Sequence, residues 1–518
     1  MRSVEVMLAR MRSIGRLGAM GLALVTACST NFTPQPCAVD GDCGTGLVCE
    51  LRDQQPVCVR AEDAPLVIGQ SAPVSGTNQA LGTGMKLGIE LAFAEKNDAG
   101  GVRGRPLQLA FRDDAYQPDL AEGATRSLLD AQVSTSEVPR CPSTSASLAS
   151  NAPVSSTALT RGPKAVLAIL GDVGTPTMLR SAPVTIETGT VYFGAFTGAA
   201  TLLREVPSGG TTQSAGPCWR YIFNVRASYA QEAQATIEYF KRRGVTTYKN
   251  LISFDQNDSF GQAGYDGLVN AYKNTIGAFP GTVDPNTPIF RQRYTRNDDT
   301  SVPATVTATI AQLTNLLNTD ASNPLNVGIV MTDTYGAGAD FISGLRSWQL
   351  DGQASPAGKA TRLKLWFSNV SFVGANALSD KLKALGKIGA SSEYYTDNVV
   401  ISQVVPNYQN DQSPVVTAYN KLIAKAGATP SFTSLEGYIA ARVFIAGLEA
   451  HKGPFTATGL VTDFESLPDL GLGVGATSGF SPAVHQYSSS VWGTVLQPDG
   501  SFRNLYFWSA GIPIMFFE

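Results

Sequence analysis

The sequence predicts an α/β protein made of two lobes, each built on a doubly wound parallel sheet. Short continuous apolar runs, typical of strands buried on both faces, alternate with helical segments along most of the chain. Repeated strand–helix units of this kind form parallel sheets with helices on both faces. The 518-residue chain contains too many such units for one compact sheet, so we expect two lobes behind a small disulfide-rich segment.

The first strand–helix unit begins near Pro65 with the run PLVIGQSAPVSG, which a turn closes. The next segment predicts a helix that ends at Gly100 and Gly101. Its apolar residues recur every four positions and therefore share one helix face: Leu81, Met85, Ile89 and Phe93. A strand follows in PLQLAFRDD and a helix in DLAEGATRSLLDA.

The same alternation continues through the middle of the chain. The predicted strands are AVLAILGD, YIFNV, NLISFD, PIFRQRYT, NVGIVMTD and LKLWFSNV. Helix-forming segments separate them, and helices dominate from Pro414 to His451. Residues 131–164 interrupt the rhythm because they are rich in Ser, Thr, Ala and Pro, which predicts an inserted surface loop.

Seven cysteines carry information about location and cross-linking. Four of them crowd into one short piece that is too small to build a core: Cys37, Cys43, Cys49 and Cys58. In an oxidising compartment this piece predicts two disulfides whose connectivity the spacing leaves open. A metal site is the alternative, but the piece lacks a CxxC pair and a nearby histidine, so we expect no metal. We expect Cys141 and Cys218 to pair and tie down the inserted loop.

The N-terminus predicts a secretory leader. Arginines precede a short apolar run from about Leu17 to Ala27, which is too short to span a bilayer. The residues from Val25 to Cys28 resemble a bacterial lipoprotein box. That resemblance implies a leader over 1–27, removal before Cys28 and lipidation of its side chain and new amino group, which would anchor the protein to a membrane. Ser29 favours the outer membrane, weakly, and a plain cleaved leader is the alternative.

Composition excludes several classes of function. The net charge of −3 argues against a nucleic-acid partner, which requires a basic face. The only histidines, His451 and His485, leave little room for Ser-His-Asp catalysis or a histidine-rich metal site. We therefore expect neither an enzyme nor a cofactor.

Several spaced motifs resemble type I periplasmic binding proteins of the Leu/Ile/Val-binding group. The stretch IGQSAPVSGTNQALGTGMKLGIELAFAEKNDAGGVRGRPLQLAFRDDAYQP is similar to the opening of that family. YIFNVRASYAQEAQA resembles its first hinge crossing, and SFDQNDSFGQAGYDGL resembles the start of its second lobe. TSLEGYIAARVFIAGLEA is similar to a helix near the end of many members.

The resemblance implies two doubly wound lobes joined by three crossings, with ligand bound in the cleft between them. It places the N-terminal lobe at 64–224 plus 407–486 and the C-terminal lobe at 226–405 plus 487–518. The lipid-anchored cysteine-rich segment then covers 28–60.

Ligands of open α/β sheets bind beyond the carboxyl ends of the strands, where helix N-termini favour a carboxylate. The resemblance implies that the Thr175 hydroxyl binds ligand, and Thr177 offers a second hydroxyl. The segment VYFGAFTGAATLLR forms the next wall, with contributions from Ala195, Phe196 and Thr197. Helix capping is the alternative role for Thr175 and Thr197.

The second lobe is expected to supply an aromatic wall through Phe260 and through Thr334 or Tyr335, with packing between lobes as the alternative role. Ser75, Thr77 or Asn78 is a candidate at the rim of the cleft. The resemblance also implies that Asp113 and Asp114 end a strand and cap the following turn rather than act as catalytic acids. The sequence departs from the branched-chain amino acid binders where those proteins hold the ammonium group with a glutamate, because it has Val370 and Ser371 there. Asp333 is the candidate replacement, and a turn-capping role for it is equally compatible with the sequence.

Two functions remain open at this stage. The first is a lipoprotein of the bacterial cell envelope, on the outer membrane or the periplasmic face, that delivers a small polar ligand to an ABC permease. That ligand would be an amino acid, an amide or a small carboxylate. The second is a lipoprotein that senses such a ligand and signals to a partner protein without transport. The cysteine-rich segment favours sensing slightly, since import does not require it.

Overall fold

The computed structural model describes residues 35–52, 55–139, 157–199, 220–350, 362–475 and 478–517. The expected leader over 1–27, the lipidation of Cys28 and the Cys141–Cys218 bond lie outside these residues. No helix in the described ranges is long and apolar enough to cross a membrane.

The strands and helices follow the predicted alternation. The strands are β1 (Leu47–Arg52), β2 (Gln55–Arg60), β3 (Leu66–Ala72), β4 (Leu107–Asp113), β5 (Gln132–Val133), β6 (Leu159–Thr160), β7 (Ile169–Leu170), β8 (Tyr192–Phe193), β9 (Ile222–Phe223), β10 (Leu251–Gln256), β11 (Phe290–Tyr294), β12 (Leu325–Thr332), β13 (Leu363–Asn369), β14 (Val399–Gln403), β15 (Val491–Leu496), β16 (Phe502–Ser509) and β17 (Ile512–Phe516). The helices are α1 (Gln79–Asp98), α2 (Pro118–Leu128), α3 (Thr175–Glu187), α4 (Tyr229–Arg242), α5 (Ser259–Thr275), α6 (Val302–Thr319), α7 (Tyr335–Leu350), α8 (Ala375–Leu385), α9 (Pro414–Lys425), α10 (Phe432–Ala450) and α11 (Ala457–Glu465).

Two large sheets carry the fold, which confirms the predicted α/β class. The first has five parallel strands in the order β4-β3-β7-β8-β9. The second has eight strands in the order β11-β10-β12-β13-β14-β15-β16-β17. Its first five strands are parallel and its last three run antiparallel. The non-sequential strand order is typical of doubly wound sheets, which bind ligands at the carboxyl ends of their strands.

Helix α1 packs along α10 on the first sheet. The four residues predicted to share one face of α1, Leu81, Met85, Ile89 and Phe93, are buried. Gly88 lets the two helices approach closely, because a Cβ atom there would collide with the backbone of α10 at Ser434 and Tyr438. The long α10 therefore belongs structurally to the first sheet although it lies far along the chain.

The chain passes between the sheets three times: after β9, after β14 and before β15. The first and third passages lie side by side. The Asn224 amide donates to the His485 carbonyl at 2.8 Å, and the Tyr487 amide donates to the Asn224 carbonyl at 2.8 Å. His485 stacks on Phe223 with ring centroids 3.8 Å apart, so this histidine has a structural role at the passage.

The cysteine-rich segment forms a small unit that is docked on the first lobe. Its disulfides are Cys37–Cys49 and Cys43–Cys58, which confirms that four cysteines form two bonds and fixes their connectivity. Strands β1 and β2 form an antiparallel pair within it. Two ion pairs hold the unit against the loop before β4: Arg103–Asp40 at 2.6 Å and Arg105–Glu50 at 2.5 Å.

The inserted loop at 131–164 is described only at its two ends. Its β5 and β6 strands pair antiparallel there, so the loop leaves and re-enters the lobe at one place. Strand β7 is shorter than the predicted run AVLAILGD at both ends, and it ends at Leu170 because the backbone turns at Gly171 with φ of 72°. Helix α11 was not predicted.

Candidate ligand cleft

The first wall of the cleft follows strands β7 and β8. Helix α3 begins at Thr175, and Thr197 lies four residues beyond the end of β8. Both side chains are buried, and their hydroxyl oxygens lie 2.6 Å apart. The Thr197 hydroxyl also lies 3.4 Å from the Tyr229 hydroxyl at the start of α4. The structure thus brings together the two threonines predicted for the site and adds a third hydroxyl from the opposite side.

The turn between β8 and the cleft is held by Asn224 at the first passage. Its side-chain amide donates to the carbonyls of Ala195 and Thr197, both at 3.1 Å. Gly174, just before α3, has φ of 105°, and a Cβ atom there would collide with the Tyr116 ring. The backbone of this wall is therefore fixed by contacts that a side chain at position 174 would break.

The sequence offers Thr177 as a second hydroxyl for the ligand, and the structure places this hydroxyl inside its own helix. Its hydroxyl donates back to the carbonyls of Val173 and Gly174 within the first turn of α3. The proton of the Thr177 hydroxyl is thus used inside the helix, whereas the hydroxyls of Thr175 and Thr197 bond to each other across the wall. The structure therefore gives Thr177 a local role in forming the start of α3.

Five aromatic rings meet between the lobes. Phe196 and Tyr116 come from the first lobe, Phe260 and Phe372 from the second, and Tyr229 from the start of α4. The Phe372 ring lies 5.1 Å from Phe196, 4.7 Å from Phe260 and 6.0 Å from Tyr116, measured between centroids. All five side chains are buried. The sequence analysis identified Phe196 and Phe260 but missed the other three rings.

Hydrogen bonds also cross from one lobe to the other. The Gln256 side-chain amide donates to the Tyr116 hydroxyl at 3.3 Å, and the Tyr294 hydroxyl donates to Gln256 Oε1 at 3.1 Å. The Thr334 amide donates to the Tyr294 hydroxyl at 3.0 Å. This chain follows the carboxyl ends of three neighbouring strands, β10, β11 and β12, and reaches the first lobe at Tyr116.

Further contacts at the rim show that the cleft is closed in this structure. The Tyr335 hydroxyl donates to the Thr77 carbonyl, so two predicted site residues contact each other across the lobes. The Asn78 side-chain amide donates to Asn297 Oδ1 at 2.7 Å. Thr77 uses its backbone here, and its side chain is exposed.

A buried charge cluster lies beside the aromatic rings. The Arg226 guanidinium donates to Glu232 at 2.8 Å, to Glu436 at 3.2 Å and to the Ser371 hydroxyl. It also lies 5.3 Å from the Phe196 ring centroid. Burial raises the pKa of Glu436 to about 7 despite its contact with Arg226. The sequence analysis did not identify this cluster, whose members are separated by up to 210 positions along the chain.

Asp333 lies at the end of β12, beneath the first turn of α7 and beside Gly338. Its side chain is fully buried, and burial raises the pKa of its carboxyl well above the ordinary value. In the described part of the chain, neither of its oxygens has a hydrogen-bond partner, and the same holds for the nearby Asn369 side-chain oxygen. The carboxyl is thus buried beneath α7.

Asp113 and Asp114 act as the sequence analysis interprets them. Asp113 accepts from the amides of Val74 and Ala115, both at 3.0 Å. Asp114 accepts from the Ser71 hydroxyl and the Tyr116 amide. Burial raises the pKa of Asp114 to about 6. Both carboxyls hold the strand end and the turn that positions Tyr116.

Comparison with known proteins supports the architecture. A family model described as periplasmic binding protein matches residues 65–136. A Leu/Ile/Val-binding protein homolog from Brucella abortus is 40% identical over 55 residues, which are 11% of this chain and 15% of that relative. The match therefore spans only a small part of the curated relative's length.

Solved structures extend the similarity to both lobes. A possible leucine/isoleucine/valine-binding protein from Rhodopirellula baltica aligns with a TM-score of 0.64 and 27% identity, covering 86% of this chain and 98% of that one. A fatty acid ABC transporter substrate-binding protein from Thermomonospora curvata aligns with a TM-score of 0.58 and 14% identity, covering 87% and 93%. The second match shows the fold alone.

The two-lobe fold and the matched segments make the chain similar to type I periplasmic binding proteins of the Leu/Ile/Val-binding group.

Proposed function

We propose that the protein is an extracytoplasmic lipoprotein that binds a small polar ligand between its two lobes for ABC-type import. The observation that carries this proposal is the wall of hydroxyls at Thr175, Thr197 and Tyr229, which lies between the lobes at the strand ends. Closure of two lobes on a ligand is a change that a permease can recognise. The lipid anchor at Cys28 and the lobe boundaries at 64–224 plus 407–486 and 226–405 plus 487–518 are part of the proposal.

The proposed ligand contacts fall into two sets. On the first lobe they are the hydroxyls of Thr175 and Thr197 and the backbone from Ala195 to Thr197. On the second lobe they are Phe260 and the backbone around Thr334 and Tyr335. The relatives' names mention branched-chain amino acids and fatty acids, so the size and polarity of bound ligands vary on this fold.

The second candidate is a ligand-sensing lipoprotein. The docked disulfide unit favours it, because the unit is fixed to the first lobe by Arg103–Asp40 and Arg105–Glu50 rather than left as a free spacer. A fixed unit presents a surface with a constant orientation to the cleft, as a partner protein would require.

Thermal shift tests the proposal. The protein lacking residues 1–28 is melted with amino acids, short amides, small carboxylates and sugars. A ligand that binds only the folded state raises the melting temperature by mass action. We expect a shift with at least one amino acid, amide or carboxylate. A shift with sugars alone, or with none of the four classes, would contradict the proposed ligand binding.

A further inference from the structure

A cavity of about 440 Å³ lies where the docked disulfide unit meets the first lobe. Cavities of this size accommodate small molecules. The unit contributes part of β1, the lobe contributes the segments before β3, β4 and β7, and the segment before α11 closes a further side. We call this space the seam cavity, and its defining residues are Glu50, Leu51, Arg105, Arg161 and Phe455.

The seam cavity lies at the opposite end of the first sheet from the proposed cleft. It borders Leu66, which is the first residue of β3, and Leu167, which precedes β7. Thr175 and Thr197 instead follow the carboxyl ends of strands in the same sheet. A molecule in the seam cavity would therefore contact the disulfide unit and the lobe without occupying the cleft.

Arg161 is a cation whose hydrogen bonds in the described part of the chain all go to neutral acceptors. Its guanidinium donates to the carbonyls of Val166 and Leu167 and, at 3.1 Å, to the Thr190 hydroxyl. Burial lowers the pKa of Arg161 to about 10, because no carboxylate offsets the loss of water. A desolvated charge without a counter-ion is costly, so an anion in the adjoining cavity would be stabilised.

The other charges of the seam cavity leave this cation uncompensated. Arg105 is only 3% exposed and pairs with Glu50 at 2.5 Å, so these two side chains are neutral in sum. Asp130, the acid that precedes the inserted loop, accepts from the Lys164 amide at 3.2 Å. The two arginines and one glutamate that line the cavity therefore carry one net positive charge, which is that of Arg161.

The free donors of Arg161 suit an oxyanion. Three of its five N–H groups are used, which leaves the Nε–H and one N–H of Nη2 without an acceptor among the described residues. Arginine binds carboxylates and phosphates through such pairs of N–H groups, and Arg180 contacts Glu122 through the same two nitrogens. Leu51, which is 49% exposed, and the Phe455 ring offer apolar surface beside the charge.

We propose that the seam cavity binds a small organic anion, a carboxylate or phosphate on an apolar body, with Arg161 as its charged contact. The inference goes beyond the proposed function, because it assigns a binding site outside the cleft. The anion would contact β1 and the lobe at once, so its binding would strengthen the docking of the disulfide unit.

Hydrogen exchange of the β1 and β2 amides in the full chain tests the inference. The organic probes are benzoate, hexanoate and phenyl phosphate at millimolar concentration. Benzamide is the neutral match of benzoate, and inorganic phosphate is an oxyanion without an apolar body. We expect at least one organic anion to slow the exchange and benzamide to leave it unchanged. No response to any organic anion, whether or not inorganic phosphate acts, would overturn the inference, and so would equal slowing by benzamide and benzoate.

Variants assign the response to Arg161. Arg161→Gln removes the charge and is expected to weaken binding of the effective anion by about tenfold or more in calorimetric titration. Arg180→Gln is the matched control, because Arg180 is a half-exposed arginine of the same lobe that pairs with acids of α2. We expect this control to bind as the wild type does. Equal affinity in a folded Arg161→Gln protein would overturn the inference. Where that variant fails to fold, the wild-type exchange response still decides the outcome.

The cleft variant separates this site from the proposed function. Replacing Thr175 and Thr197 together with Ala changes the cleft and should leave the exchange response to the anion intact. Loss of the response in that variant would place the anion in the cleft and overturn the inference. A retained response, with no thermal shift in the ligand panel, would count against the proposed function alone.

Discussion

The hydroxyls of Thr175 and Thr197 lie 2.6 Å apart although the residues begin separate turns after separate strands. Both turns lie at the carboxyl ends of the first sheet, and both side chains are buried. The Thr197 hydroxyl also accepts from the Ala199 backbone amide at 3.3 Å, so a local capping role coexists with the contact between the two threonines. The pair is therefore the most specific polar feature of the first wall.

Replacing Thr175 and Thr197 together with Ala is expected to weaken binding of the cognate ligand by about tenfold or more, since hydrogen bonds to a charged group are worth about 1.5–3 kcal/mol each. Thr185→Ala is the matched control, because Thr185 is a buried threonine of the same helix whose hydroxyl donates to the Ala182 carbonyl, away from the pair. Titration calorimetry measures both. Equal affinity in the double variant and the control would show that the hydroxyl pair is not part of the site.

Phe372→Ala is expected to loosen the closed state, because the Phe372 ring contacts rings from both lobes. Small-angle scattering of the ligand-free protein should show a larger radius of gyration. Phe464→Ala removes a ring packed within the first lobe against Phe193 and should leave the radius unchanged. Both variants lose about 3–5 kcal/mol of stability as large buried side chains are truncated, so the comparison is made at low temperature.

The docked disulfide unit depends on charge pairs with the first lobe. Glu50→Gln removes the partner of Arg105, which is only 3% exposed, and should cost about 1–3 kcal/mol because a buried charge loses its partner. Hydrogen exchange of the β1 and β2 amides should become faster. Glu62→Gln breaks an exposed pair with Arg60 and is expected to change neither quantity. Equal protection in the two variants would show that the pair does not hold the unit.

Stability is expected to depend on pH through Glu436. Burial raises its pKa from 4.5 to about 7, so the folded protein binds this proton more tightly than the unfolded chain. The stabilising contribution is complete below about pH 4.5 and is lost as the pH rises through about 7, with a maximum of roughly 3 kcal/mol. Urea unfolding of the wild type should show this loss between pH 4.5 and 7.5, and Glu436→Gln should show a smaller one. Identical pH profiles would contradict the assignment.

Membrane attachment is expected to depend on Cys28. Cys28→Ala should release the protein into the soluble fraction of lysed cells, because the acylated side chain is missing. Ser29→Ala keeps the cysteine and should still sediment with membranes. A Cys28→Ala protein that sediments as the wild type does would exclude lipidation as the anchor.

Local patterns predicted the helices and strands well where burial and periodicity act within one element. The face of α1 that carries Leu81, Met85, Ile89 and Phe93 is an example. Strand β7 ends at Leu170 because the backbone turns at Gly171, and an apolar run alone does not mark that point. The spacing of the four cysteines leaves three pairings open, and the structure shows which one forms: Cys37–Cys49 and Cys43–Cys58.

The site was predicted only in part, for a physical reason. Thr175 and Thr197 follow strands of one sheet, so the strand order already suggests that they meet. Phe372 and Tyr116 belong to different lobes, and no local pattern indicates that their rings approach. Arg226 and Glu436 are separated by 210 positions, and a single arginine near a chain crossing is usually solvated rather than buried.

A crystal structure with the ligand that gives the largest thermal shift tests the central claim most directly. The account predicts the ligand between the two lobes, with its polar head in hydrogen-bond contact with Thr175 and Thr197 and its body against Phe196 and Phe260. A ligand bound outside the space between the lobes, in contact with neither of the two hydroxyls, would contradict the account.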